Sequence, residues 1–135
     1  MKIVGDNATV EISILRKAHP ESEDTWDQQW LVTHIKAFLD GFQACFETCV
    51  MRHEFDSFID SISNALGTQQ GMVEFSTLEE ALHLKGIVGY TGNIEWIGLM
   101  IYPIGTGSKL HFAFKTDFYQ LQRIKDSLTR ELSVY

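Results

Sequence analysis

The sequence predicts an α+β domain, an antiparallel β-sheet with two amphipathic helices in the order β-β-β-α-β-β-β-β-α, and three observations carry that prediction. Apolar and polar residues alternate on both sides of Asp40-Gly41. Apolar residues recur at helical spacing from Phe55 to Leu66 and again from Leu121 to Leu132. Short turns separate most of the apolar runs between Gly71 and Lys115. Strands grouped together, with helices set apart from them, argue for antiparallel pairing over a doubly wound parallel sheet.

The first strand is expected over Ala8 to Leu15, where Val10, Ile12 and Ile14 alternate with Glu11 and Ser13. A polar loop of residues 19–29 follows. From Trp30 to Met51 the chain reads as a hairpin, with Asp40-Gly41 as a type I′ turn in which both central residues have positive φ. That turn sets Leu39 opposite Phe42, Ala37 opposite Ala44, Ile35 opposite Phe46, Thr33 opposite Thr48 and Leu31 opposite Val50, all on the core face. The outer face then carries Val32, His34, Lys36 and Phe38 against Gln43, Cys45, Glu47 and Cys49.

Phe55, Phe58, Ile59, Ile62, Ala65 and Leu66 form the apolar stripe of the first helix, with Glu54 and Asp56 in its first turn and Gly67 just past its end. Asp56 and Asp60 are expected to face solvent. Four strands follow at Met72 to Phe75, Ala81 to Tyr90, Ile94 to Tyr102 and Leu110 to Lys115. Gly92-Asn93 joins the middle pair and Gly105-Thr106-Gly107-Ser108 the last. A D-x-x-Q capping pattern from Asp117 to Gln120 opens the closing helix, whose stripe is Leu121, Ile124, Leu128 and Leu132.

The 135 residues suit one domain over 1–135, since a chain of this length buries about 70% of its unfolded surface. With 11 basic residues against 18 acidic ones, the net charge of −7 repels a phosphate backbone and argues against nucleic acid as a partner; a basic protein is the partner such a field favours. No apolar run reaches the length of a signal peptide core or a membrane span, so a cytoplasmic protein without membrane attachment is expected.

No catalytic motif, metal site or cofactor site is expected. His53-Glu54 begins an H-E-x-x-H pattern that fails at Ser57. Gly105-Thr106-Gly107-Ser108-Lys109 lies between two strands and lacks the strand-to-helix setting of a phosphate-binding loop. Cys45 and Cys49 on one strand stand about 13 Å apart, beyond the roughly 7 Å that a disulfide spans, and are expected as free thiols. His34 opposite Glu47 supplies two ligands at most, or the core of an enzyme reading that no other residue supports.

The candidate contact surface is the loop in which Glu21, Glu23, Asp24 and Asp27 surround Trp26, because it joins negative charge to the aromatic type most enriched at binding hot spots. The plainer reading is a solvated acidic loop with Trp26 tucked over the sheet edge. Abundant aromatics motivate an alternative, a small-molecule-binding module with a pocket between sheet and helices.

With these residues in hand, the chain resembles the WapI-like immunity proteins. The resemblance begins at W-D-Q-Q-W-L (Trp26 to Leu31) and runs through G-F-Q-A-C-F-E (Gly41 to Glu47) into the helix that starts H-E-F (His53 to Phe55). It resumes at G-T-G-S-K-L-H-F-A-F-K-T-D (Gly105 to Asp117), and in all covers residues 24 to 132. The sequence departs from the family pattern at Gln29, where Asn is usual, and at the Ser133-Val134-Tyr135 end. The resemblance implies a non-catalytic protein that neutralises a cognate toxin by binding it, and the charge adds the expectation that this toxin is basic.

Overall fold

The computed structural model describes residues 1–135. The elements are β1 (Lys2–Val4), β2 (Ala8–Lys17), β3 (Trp30–Leu39), β4 (Phe42–Met51), α1 (Arg52–Thr68), β5 (Met72–Ser76), β6 (Leu82–Val88), β7 (Asn93–Tyr102), β8 (Ser108–Asp117) and α2 (Gln120–Leu132). The α+β class and the order of strands and helices agree with the sequence, and a short first strand, β1, is added. The strands form two antiparallel meanders, β1-β2-β3-β4 and β5-β6-β7-β8. Helix α1 separates them: its 17 residues carry the chain about 25 Å, so β5 opens a new sheet instead of extending β4.

The β3–β4 register matches the alternation pair for pair, from Leu39 opposite Phe42 to Leu31 opposite Val50. Leu31, Thr33, Ile35, Ala37, Phe46, Thr48 and Val50 are buried. Phe42 shares their side of the sheet but sits at the hairpin tip and is 65% exposed. The turn itself differs from expectation. Only Gly41 has positive φ, at 83°, and Asp40 does not, which excludes type I′ and matches the sign pattern of a type II turn. Glycine, lacking Cβ, takes the left-handed conformation that would strain aspartate.

One apolar cluster draws on both sheets and both helices, with Val10, Ile12 and Ile35 from the first sheet, Leu84, Trp96 and Phe114 from the second, Phe55, Phe58 and Ile62 from α1, and Leu121, Ile124 and Leu128 from α2. The sheets are tied by Phe46 stacked on Tyr102 at 5.0 Å and by the β1–β2 turn, where Asp6 N–H donates to Lys115 O at 3.1 Å and Asp6 Oδ1 accepts Lys115 N–H at 2.9 Å. Gly5 permits this docking, since a Cβ there would stand 2.5 Å from the Phe114 ring.

The hydrogen bond from Lys115 N–H is the main reason the Asp6 carboxyl titrates below its ordinary value of 3.8. A carboxylate whose folded pKa is depressed contributes stability that is complete above the unfolded value and is lost as pH falls through the folded one. Asp6→Asn is therefore expected to lower the urea midpoint at pH 7, with the difference from the parent shrinking as pH drops from about 4 toward 2. Equal differences at both ends of that range would show that Asp6 acts without its charge.

Helix α1 is the predicted helix, with Asp56 and Asp60 exposed, but it runs through Gly67 and stops at Gln69, which takes the left-handed conformation at φ 55°. Its first-turn acid, Glu54, is buried. One carboxylate oxygen accepts Met51 N–H at 2.7 Å and the other accepts Leu78 N–H, so the residue both caps the helix and holds the loop before β6. Glutamine keeps one acceptor and turns a donor toward the second amide. Glu54→Gln should then cost about 1.5–3 kcal/mol in urea unfolding, and a loss below about 0.5 kcal/mol would rule out this role.

Helix α2 buries Leu121, Ile124, Leu128 and Leu132 as expected. Asp117 Oδ1 accepts Tyr119 N–H at 2.7 Å, but Gln120 does not complete a capping box. Its amide pairs with the backbone of β1 instead, accepting Val4 N–H at 3.0 Å and donating to Val4 O at 2.5 Å, which satisfies groups on a sheet edge. Near the end of the helix, Glu131 accepts Ile14 N–H at 3.0 Å and a hydrogen bond from the Met1 ammonium at 2.9 Å.

Candidate partner-binding surface

The acidic loop lies between β2 and β3 and is held by its own hydrogen bonds. Asp24 Oδ1 accepts Trp26 N–H at 2.7 Å and Asp27 N–H at 3.3 Å, which starts the 3-10 turn Asp27–Gln29. Ser22 Oγ donates to Asp27 Oδ2 at 3.0 Å and accepts Asp24 N–H at 3.2 Å, while Gln28 Nε2 donates to Ser22 O at 2.9 Å. The backbone of the loop is therefore braced before any partner arrives.

The five candidate residues divide in two. Glu21, Glu23, Asp24 and Trp26 are exposed, whereas Asp27 is half-buried and engaged with Ser22, a positioning part of the loop. Trp26 is not tucked away: it is 56% exposed, and its ring meets Trp30 edge-on at 6.4 Å. None of the four carboxylates forms a salt bridge within the chain. Unpaired negative charge beside a propped indole suits contact with a cationic, partly apolar surface.

On the outer face of the β3–β4 hairpin, His34 stands opposite Glu47 in register as expected, but its closest polar neighbour is diagonal, with Nε2 3.1 Å from Cys45 Sγ. Cys45 is exposed and Cys49 half-buried, and both are free thiols. Burial, then Glu79, push the Cys49 thiol up, against an opposing pull from Arg16. No three His, Cys, Asp or Glu side chains are grouped so as to hold a metal ion. No helix is long and apolar enough to cross a membrane. Where β1 meets α2, an opening of about 610 Å³ is lined by Lys2, Val4, Gln120, Arg123, Asp126, Ser127 and Arg130, a charged groove without aromatic residues.

Buried Glu54 and the His34–Cys45 contact escaped sequence reading. The first has a partner 24 residues away that no spacing rule connects. The second was within reach, because diagonal neighbours in an antiparallel pair lie close enough for long side chains to meet.

A family model matching essentially the whole chain places it among the immunity proteins. The chain belongs to the Immunity protein WapI-like family, whose model matches residues 2–135. No curated protein and no solved structure matches it.

Proposed function

We propose that this protein binds a cognate toxin directly and neutralises it by occupying its surface, with the β2–β3 loop as the contact and a basic toxin domain as the partner. The observation that carries the proposal is the exposure of Trp26 on a braced loop, flanked by Glu21, Glu23 and Asp24. A rigid aromatic loses little conformational freedom on docking, and unpaired carboxylates around it speed encounter with a cationic partner and reject anionic ones. Membership of an immunity family supports a toxin as the partner, and the net charge of −7 favours a basic one.

Co-expression with the product of the adjacent gene tests the proposal. Rescue of growth, with a stable complex on size exclusion that weakens as salt rises, is the expected result. No complex and no rescue would end it. The charged lining of the β1–α2 groove lacks the apolar, aromatic walls of a typical metabolite pocket.

A further inference from the structure

We propose that Cys45 is a reactive thiol, a site of S-thiolation by low-molecular-weight disulfides, with His34 as the base that takes its proton. Three features of the β3–β4 hairpin converge on it. The Cys45 sulfur lies 3.1 Å from His34 Nε2, the nucleophile-to-base contact that activates a thiol. Cys45 is exposed on β4, an edge strand paired only with β3, so a small disulfide reaches the sulfur from solvent. Cys49, four residues along the same strand, is half-buried with its thiol pushed up by desolvation, and so provides an internal contrast.

The reaction balances without any oxidant beyond the disulfide. The Cys45 proton passes to His34 Nε2 as the sulfur attacks one sulfur of RS–SR. The Cys45–SR bond forms, the RS–SR bond breaks, and RS⁻ leaves with the electron pair and recovers the proton from the imidazole. Cys45 is oxidised, and the departing sulfur is reduced to RSH. With Nε2 as acceptor, the ring carries its own proton on Nδ1. The other titratable groups around the site are Lys36 opposite Cys45, Glu47 and Cys49 on β4, Glu11 behind Lys36 on β2, and Lys109 and Tyr102 across the adjoining groove. Because Cys49 lies about 13 Å away along an extended strand, it cannot resolve the adduct into an internal disulfide. The mixed disulfide therefore persists until an external thiol removes it.

The test treats the full chain with oxidised glutathione at pH 7 and follows intact mass with peptide mapping. One adduct is expected, on Cys45, with Cys49 unmodified. In Cys49→Ser, native Cys45 should react about five- to tenfold faster than the same thiol in 8 M urea, where the fold no longer holds His34 against the sulfur. His34→Gln should return the native rate to the urea rate at pH 7, and the two proteins should converge at pH 10, above the ordinary thiol range. A native rate at or below the urea rate overturns the proposal, and that comparison needs no histidine variant to fold. Preferential modification of Cys49, or an unchanged rate in a folded His34→Gln protein, overturns it equally.

Discussion

Trp96→Ala is expected to lower the urea midpoint of unfolding steeply. Trp96 is 1% exposed on β7, an interior strand of the second sheet. Its ring stacks on Phe114 at 6.1 Å, and Nε1 donates to Thr116 Oγ1 at 2.8 Å. Truncating a buried tryptophan costs about 3–5 kcal/mol through lost transfer energy and the cavity left behind. The buried Thr116 hydroxyl, deprived of its donor, adds about 1 kcal/mol or more. Against a total stability of roughly 5–15 kcal/mol this is a large fraction. Urea denaturation is the measurement, with a lower midpoint and an unchanged slope as the expected signature. Trp96→Phe, which keeps an aromatic ring but no donor, should fall between the two. A loss under about 1 kcal/mol for the alanine variant would mean that the second sheet does not depend on this residue.

Trp26→Ala should act on the partner and not on the fold. Its exposure and single edge-on contact with Trp30 predict a stability change within about 0.5 kcal/mol. If the loop is the contact surface, removing its only large aromatic anchor costs about 2–4 kcal/mol of binding, a thirty- to thousand-fold weaker toxin complex, expressed mainly in the dissociation rate. Lysine at Glu21 and Glu23 should instead slow association and flatten its salt dependence, because exposed rim charges steer encounter. Calorimetry and surface-binding kinetics separate the two effects. Unaltered affinity in a folded Trp26→Ala protein would move the interface elsewhere and leave the immunity family unaffected.

The hairpin was legible because two independent signals agreed. Alternation over ten residues on each side, together with a glycine-bearing two-residue turn, allowed one register only. Turn type was not legible, since glycine alone carries the positive φ and its neighbour's identity hardly matters. The strand Lys2–Val4 was missed because three residues are too few to show a period, and because its partners include a side chain 116 residues away. Division into two sheets depends on where α1 delivers the chain, which is set by packing of Phe55 and Phe58 against Phe75, not by local pattern. In the candidate site, composition identified the acidic loop and its tryptophan. The inward turn of Asp27 toward Ser22 and the outward turn of Trp26 depend on hydrogen bonds that composition does not reveal.

The pairing of Val4 with Gln120 and of Ile14 with Glu131 bears on how the protein is made. At about 5–20 residues per second, Gln120 is synthesised roughly 6 to 23 s after Val4. Through that interval the leading sheet edge stays open to other chains, and it closes only when the last helix leaves the ribosome. Newborn chains therefore keep these β1 and β2 amides without their helix partners until α2 has been made.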